Sequence, residues 1–300
     1  MARAKANGIE LEYEVTGPAD GAPLLLIMGL GAQMTRWPEA FVAKLAARGL
    51  RVIRFDNRDV GLSSKLDAAG LPDFMAMFTA LGEGRKPDVP YLLDDMAADA
   101  VGLLDALGIA RAHIVGASLG GMVAQLVAAD YPDRTLSLTS IMSTTGNRAL
   151  PLSSPEAMAV LNDRGPDPTA DLEGYLDHAL KGAVVVGSPG YPFDAAETRE
   201  RLRADFQRSY SPSGFQRQYA AAAASPDRRP KLATITAPTV VIHGAADALV
   251  PLAGGQDTAA NIPGAELIVI DGMGHDFPPP LFDTVADGIL KAVDRAKANA

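Results

Sequence analysis

The stretch that decides the fold is HIVGASLGG at residues 113–121, where an apolar run meets a serine between glycines. The apolar residues before the serine favour a buried strand, and the spacing of apolar residues 119–129 favours a helix. A G-x-S-x-G pattern between a strand and a helix is typical of a nucleophile elbow, a sharp turn that exposes a hydroxyl. The pattern marks Ser118 as a candidate nucleophile. The alternative is that the glycines serve only tight packing and Ser118 caps the helix.

Short apolar runs recur along the chain and alternate with helical patterns. The runs are apolar on both faces, which is typical of parallel strands buried under helices, and they lie at residues 24–28, 51–55, 113–115, 136–142, 238–243 and 266–270. Residues 9–15 alternate apolar and polar side chains, which predicts a half-buried antiparallel strand. Helical spacing is found at residues 41–47, 93–107, 119–129 and 281–293. We therefore predict an α/β fold whose mostly parallel sheet is covered by helices on both sides.

The alternation stops between residues 146 and 230, a segment with many prolines and several short helical pieces. A loop of this length without secondary structure is uncommon in a compact domain, so the segment is interpreted as a helical insertion. The predicted division is a core of residues 1–145 and 231–300, with a helical cap formed by residues 146–230.

Composition restricts the partners and the chemistry. The chain has 27 Lys and Arg against 36 Asp and Glu, and its net charge of −9 repels polyanions, so nucleic acid is not an expected partner. The absence of cysteine excludes disulfides and thiolate catalysis. The sequence contains neither the roughly 20 apolar residues of a membrane span nor an apolar leader at its start. We expect a soluble, cytoplasmic protein with no membrane partner.

A serine hydroxyl is a weak nucleophile and needs a base that is held in place by an acid. Around this type of elbow the chain order is Ser, acid, His, so the candidate bases are His178, His243 and His275. His178 lies in a predicted helix of the insertion, where a surface role is favoured, and His243 ends an apolar strand, which favours a structural role. His275 follows the last apolar run in a glycine-rich loop that can carry its ring over the sheet edge. We therefore predict His275 as the base.

Asp247 is the predicted acid, because it lies just beyond the end of an apolar strand in the segment GAAD. The alternative is that it bonds only to the backbone of its own turn. Asp271 and Asp276 are rivals, but each is so near His275 in sequence that reaching the edge of the ring is awkward.

Acyl transfer also needs hydrogen-bond donors for a developing oxyanion. One predicted donor is the backbone N–H of Leu119, the residue after the nucleophile, and the second comes from the loop MGLG at residues 28–31. Within that loop we predict the N–H of Leu30.

Together these features resemble the α/β-hydrolase fold family, and the resemblance covers nearly the whole chain. The motifs that carry it are residues 116–120, Asp247, His275, the segment DNRDVGLS at residues 56–63 and the first loop. Met28-Gly29, Trp37-Pro38 and GMGH at residues 272–275 are most similar to esterases and methylesterases related to aclacinomycin methylesterase. The resemblance implies a carboxylic ester hydrolase with a Ser-His-Asp triad, no metal or cofactor, and a helical cap inserted after the sixth strand. Many relatives carry His-Gly where this chain has Met28-Gly29, so a histidine that often braces the first loop is absent.

Other functions remain open at this stage. Gly29-Leu30-Gly31 and Asp56 are spaced much as in a dinucleotide-binding fingerprint, but Met34 stands where the third glycine belongs and the elbow is left unexplained. A non-catalytic, hydrolase-like ligand-binding protein is a second alternative. Lactone opening, perhydrolysis and carbon–carbon bond hydrolysis use the same constellation, and fold does not separate them.

The insertion would cover the predicted site and contribute apolar walls. The candidate wall residues are Met158, Tyr191, Phe193, Phe206, Tyr210, Phe215 and Tyr219, with Met75, Met77 and Phe78 from an earlier stretch. The alternative is that most of them pack the cap onto the core. An apolar lining suits a small hydrophobic ester as the substrate. The oligomeric state stays open, with a homodimer among the alternatives.

Overall fold

The computed structural model describes residues 2–163 and 165–298. In this part of the chain one eight-stranded sheet is flanked by helices. The strands are β1 (Ala2–Ala6), β2 (Ile9–Thr16), β3 (Ala22–Ile27), β4 (Leu50–Phe55), β5 (Ala112–Ala117), β6 (Thr135–Ile141), β7 (Thr239–Gly244) and β8 (Glu266–Ile270). The helices are α1 (Glu39–Ala47), α2 (Phe74–Gly82), α3 (Leu93–Ala106), α4 (Leu119–Asp130), α5 (Pro155–Asn162), α6 (Leu172–Val186), α7 (Ala195–Arg208), α8 (Pro212–Ala224), α9 (Arg229–Leu232), α10 (Leu252–Asn261) and α11 (Phe282–Ala298).

The sheet has the strand order β1-β2-β4-β3-β5-β6-β7-β8. β2 runs antiparallel to both β1 and β4, and every pair from β4 to β8 along the sheet is parallel. The predicted α/β fold with a mostly parallel sheet is therefore confirmed. Because parallel strands place their carboxyl ends on one edge, the loops that follow β3, β5, β7 and β8 meet there.

Strand β3 shows why its apolar run is continuous. Leu25 and Ile27 pack into the apolar cluster that α3 and α4 cover, whereas Leu24 and Leu26 pack into the cluster under α1 and α11. Successive side chains of a strand point to opposite faces, so a strand covered on both faces needs apolar residues at every position. All four side chains are fully buried.

Two helices, α2 and α10, lie in stretches where the sequence analysis did not predict a helix. The Asp73 side chain begins α2 by accepting a hydrogen bond from Ala76 N–H. Within α2, Met77 is buried, but Met75 is 82% exposed and Phe78 is 51% exposed. These two exposed side chains are therefore not walls of an enclosed pocket. No helix within the described residues combines the length and the apolar character of a membrane span.

Helices α5 to α9 lie between β6 and β7, and residues 146–230 are called the cap segment below. The cap segment is joined to the core by a buried ion pair. Arg217 of α8 donates from Nε and Nη2 to the two carboxylate oxygens of Asp59, at 2.9 and 2.7 Å. Asp59 also accepts a hydrogen bond from the Tyr91 hydroxyl at 2.8 Å, and Arg217 is 1% exposed. The carboxylate oxygens of Asp59 therefore accept hydrogen bonds from two separate parts of the chain, helix α8 and Tyr91.

Replacing Arg217 with methionine should lower the free energy of unfolding by about 3–5 kcal/mol, because it leaves the buried Asp59 carboxylate without its cation. Arg203→Met is the matched control. Arg203 pairs with the exposed Glu173 on the cap surface, where solvent screens the pair, so its loss should change the free energy of unfolding far less. Urea denaturation followed by circular dichroism measures both, and equal midpoints for the two variants would contradict the expectation.

Candidate active site

Ser118 lies at the turn between β5 and α4, with φ 56° and ψ −122°. A positive φ at a non-glycine residue costs on the order of 1–3 kcal/mol, so surrounding contacts must hold it. Ser118 N–H donates to Ile141 O at 2.9 Å, and the Ser143 hydroxyl donates to Ser118 O at 2.8 Å. Both contacts come from the β6 side of the sheet. They fix the backbone of the turn and leave the Ser118 side chain to point away from it.

The glycines of the elbow allow close backbone approach. A Cβ atom on Gly116 would lie 2.0 Å from Gly120 O, and one on Gly120 would lie 2.1 Å from Ile27 O. No side chain fits at such distances. The pattern that predicted the elbow from sequence is thus explained by two main-chain contacts, one within the turn and one to β3.

Three side chains that are far apart in sequence form one hydrogen-bonded chain. His275 Nε2 lies 2.9 Å from Ser118 Oγ, and His275 Nδ1 lies 2.8 Å from Asp247 Oδ2. Because a carboxylate only accepts hydrogen bonds, Nδ1 carries the ring proton, and Nε2 is left to accept the proton of the serine hydroxyl. The structure brings together the residues that the sequence singled out as nucleophile, base and acid.

Asp247 has both of the arrangements that the sequence left as alternatives. Its Oδ1 accepts hydrogen bonds from the backbone N–H groups of Leu249 and Val250, at 2.9 and 2.8 Å, as in an aspartate turn. Its Oδ2 faces His275. The two local bonds to Oδ1 fix the orientation of the carboxylate, so that Oδ2 points toward the imidazole.

The other two candidate bases make no hydrogen bond to Ser118, although His243 Nε2 lies 3.6 Å from Asp247 Oδ2. His243 is fully buried, and its Nε2 donates to Val250 O at 2.8 Å. Burial lowers the pKa of the His243 imidazole below its usual value, so this ring stays neutral. His178 contacts the carbonyl oxygen of Asp163 within the cap segment. Through this bond to Val250, His243 supports the turn that carries Asp247, a contact that the sequence did not predict.

The rival acids do not face the edge of the His275 ring. The Asp276 carboxylate accepts a hydrogen bond from the Ser188 hydroxyl, and burial raises the pKa of the Asp276 carboxyl. Asp271 contributes its carbonyl oxygen, which accepts from the Tyr191 hydroxyl at 3.2 Å. Both residues connect the loop after β8 to the cap segment.

Backbone contacts with the cap segment also hold the loop that carries the base. His275 N–H donates to Val186 O at 2.7 Å, and Gly190 N–H donates to Gly272 O at 2.9 Å. These bonds form a short two-point attachment along residues 186–190. The imidazole is therefore carried on a loop that is fixed from the cap side as well as by its own strand.

The first loop, residues 28–31, lies beside the elbow. A Cβ atom on Gly29 would lie 3.2 Å from Ser118 Cβ, so glycine permits this approach. Among the described residues, the backbone N–H groups of Leu30 and Leu119 have no hydrogen-bond partner in the protein. These are the two amides that the sequence predicted as oxyanion donors.

Asn57 supplies a brace for the first loop that the sequence analysis did not identify. Its Nδ2 donates to Met28 O at 2.9 Å, and the side chain is buried. The preceding Asp56 accepts hydrogen bonds from Met34 N–H and Leu62 N–H, both at 2.8 Å. Asp56 is fully buried, and its carboxylate holds the backbone of these two loops. This arrangement does not fit the ribose-binding role that the dinucleotide alternative requires.

The aromatic residues proposed as walls divide into two groups. Phe215 of α8 lies against the first loop, since a Cβ atom on Gly31 would come within 2.5 Å of its ring, and Tyr219 stacks on Phe215 with centroids 6.4 Å apart. Phe206 and Tyr210 instead pack on one another inside the cap segment. Of these four, Phe215 lies beside the first loop with Tyr219 stacked on it, and Phe206 and Tyr210 serve packing. No group of three or more His, Asp or Glu side chains in residues 2–163 and 165–298 has the arrangement of a metal site.

Comparison with known proteins agrees with this geometry. A family model described as alpha/beta hydrolase fold matches residues 22–278. The chain belongs to the α/β-hydrolase fold family. The rhodomycin D methylesterase of Streptomyces sp. (strain C5) is 32% identical over 294 residues, which cover 91% of this chain and 90% of that protein. The predicted resemblance to this family and to its methylesterases is thereby confirmed.

Other relatives in the family have different names. The 3-oxoadipate enol-lactonase 2 of Acinetobacter baylyi is 27% identical over 288 residues, covering 95% of each chain. The crystal structure of the enol-lactonase from Burkholderia xenovorans LB400 superposes with a TM-score of 0.72 over 98% of this chain and 100% of that one. At 22% identity, this second likeness shows the fold alone.

Replacing Gly120 with alanine should lower the free energy of unfolding by about 1–3 kcal/mol and reduce any activity of the elbow, because the added methyl group meets Ile27 O. Gly82→Ala is the control. A Cβ atom on Gly82, at the end of α2, meets nothing within 4 Å, so this change should be neutral or slightly stabilising. Thermal denaturation compares the two variants, and an unchanged Tm for Gly120→Ala would contradict the close packing.

Proposed function

We propose that the chain is a serine esterase that cleaves small hydrophobic carboxylic esters through an acyl-enzyme. The hydrogen-bonded chain from Ser118 through His275 to Asp247 is the observation that carries the proposal. The two unpaired amides of Leu30 and Leu119 beside it supply the remaining requirement of acyl transfer.

Acylation begins when Ser118 Oγ attacks the ester carbonyl carbon and its proton passes to His275 Nε2. The carbonyl oxygen becomes an oxyanion, which accepts hydrogen bonds from the N–H groups of Leu30 and Leu119. Asp247 stays ionised and stabilises the imidazolium through Nδ1. The bond to the alcohol oxygen then breaks, and the alcohol leaves with the proton from Nε2.

Deacylation repeats these steps with water as the nucleophile. Water attacks the acyl carbon and gives a proton to His275 Nε2, and the same two amides stabilise the second oxyanion. When the intermediate collapses, Ser118 Oγ leaves and regains the proton, which releases the carboxylic acid. Each step moves one proton and needs no metal or cofactor.

A methyl ester of a largely apolar acid is the proposed substrate class. The similarity to a rhodomycin D methylesterase supports methanol as the leaving alcohol. The rings of Phe215 and Tyr219 beside the first loop support an apolar acyl or alcohol part. Lactone opening is the second candidate, favoured by the similarity to 3-oxoadipate enol-lactonase 2, and it differs only in that the leaving alcohol stays in the product.

Ser118→Ala should reduce kcat/KM for a nitrophenyl ester by on the order of 10⁴-fold or more, because the covalent route is lost. Ser64→Ala is the matched control, since its hydroxyl accepts a hydrogen bond from Glu10 N–H of β2, three strands from β5 in the sheet. A fluorophosphonate probe followed by peptide mapping should place the label on Ser118 of the native chain. Near-normal turnover by Ser118→Ala, or a label elsewhere, would overturn the proposal. Methyl esters and lactones of matched size, compared on the native chain, decide between the two substrate classes.

Activity should fall as the pH is lowered, because His275 must be neutral to take the proton of Ser118. A profile of kcat/KM from pH 4 to pH 9 measures the effect. Constant activity down to pH 4, with the fold intact by circular dichroism, would argue against a histidine base.

A further inference from the structure

We propose that Gln218, on helix α8 of the cap segment, is a positioning residue that fixes the oxyanion-stabilising loop, residues 28–31. The inference rests on the proposed function, since it concerns the placement of the Leu30 amide in acyl transfer. It assigns part of the rate of the reaction to a side chain that neither touches the substrate nor belongs to the triad.

Gln218 connects three separate segments of the chain. Its Oε1 accepts a hydrogen bond from Gly31 N–H at 2.8 Å, and its Nε2 donates to Arg58 O at 2.7 Å. The side chain is 0% exposed, so water cannot replace either bond. A buried amide with both ends paired has a single orientation, because reversing it would set donor against donor and acceptor against acceptor.

The Nε2 end of the Gln218 side chain bonds to Arg58 O, which is held by the core. The Arg58 guanidinium donates to both carboxylate oxygens of Asp99, at 2.6 and 2.7 Å, and all of these groups are buried. Arg58 O is therefore held by the core rather than by a mobile loop. The Gln218 side chain then sets the distance between Gly31 N–H and this fixed carbonyl oxygen.

The Oε1 end of the Gln218 side chain determines which backbone N–H of the first loop is left without a protein partner. Gly29 O accepts from Ala32 N–H at 3.2 Å, and Met28 O accepts from Asn57. With Gly31 N–H taken by Gln218, the Leu30 N–H is the one without a protein partner between these fixed points. Gly31 has φ +64°, a conformation that an unpaired glycine leaves readily, so the bond from Gln218 also restricts its backbone.

The expected effect is on the transition state rather than on substrate binding. Loss of a whole oxyanion donor costs about 10²–10³ in kcat, and a displaced donor should cost part of that. We expect Gln218→Met, which keeps the volume of the side chain and removes both bonds, to lower kcat by about 10-fold with KM nearly unchanged. Binding of a phenylboronic acid, which forms a tetrahedral adduct on Ser118, should weaken by a similar factor.

Gln216→Met is the matched control. Gln216 lies on the same helix and is partly exposed, and its side chain has no hydrogen bond to the described residues. The same chemical change at this position should therefore leave kcat and boronate affinity unchanged. Equal losses in the two variants, or a raised KM at constant kcat for Gln218→Met, would overturn the proposal.

Gln218→Glu gives a test that remains valid if the methionine variant folds poorly. A protonated glutamic acid can accept from Gly31 N–H and donate to Arg58 O, whereas a carboxylate cannot donate. The ratio of its kcat to that of the native chain at each pH should therefore rise as the pH falls, and taking the ratio removes the pH dependence that both chains share. A constant ratio overturns the proposal. Ser118→Ala, assayed beside these variants, keeps the two ideas apart: if it retains turnover, the proposed function itself fails.

Discussion

The hydrogen bond between His275 Nδ1 and Asp247 Oδ2 is the contact on which the site depends, because it fixes both the tautomer and the direction of the imidazole. It joins the loops after β7 and β8, which are neighbours in the sheet, while Ser118 follows β5. Because these strands are parallel, the loops that follow them lie at the same edge of the sheet. The N–H groups of Leu249 and Val250 hold the other carboxylate oxygen, so Asp247 meets the ring with its orientation already set.

The cap segment contributes to this arrangement at three points. Ser154 N–H donates to Ala248 O in the loop of the acid, at 2.8 Å, and Val186 O accepts from the backbone of the base. Gln218 attaches the first loop. These bonds end on three different loops of the candidate site, so displacing the cap segment as one rigid body would break all of them together. The segment is thus a structural part of the site, and its side chains, rather than the segment as a whole, are the parts free to adapt to a ligand.

Local patterns in the sequence predicted most of the fold and the central residues of the site. Each strand of the parallel sheet has its own apolar run, and the elbow is encoded within nine residues, 113–121, because strand, turn and helix are all local. The braces could not be predicted in this way. Gln218 and Gly31 are 187 positions apart, and Arg217 lies 158 positions from Asp59, and each appears in sequence as an ordinary polar residue. Only the packing of α8 against the core gives them their role.

The location of these braces has a consequence for specificity. Phe215, which borders the site, and Gln218, which holds the first loop, are three positions apart on α8, so they lie on the same side of one helical turn. A substitution that moves α8 to admit a larger acyl group also moves the amide attached to Gly31. Esters and lactones need the same triad and the same oxyanion donors, so the triad itself does not separate them. Under the proposed function, discrimination falls to the cap side chains, and because α8 carries both a wall residue and the proposed brace, a change in substrate preference is expected to change turnover as well.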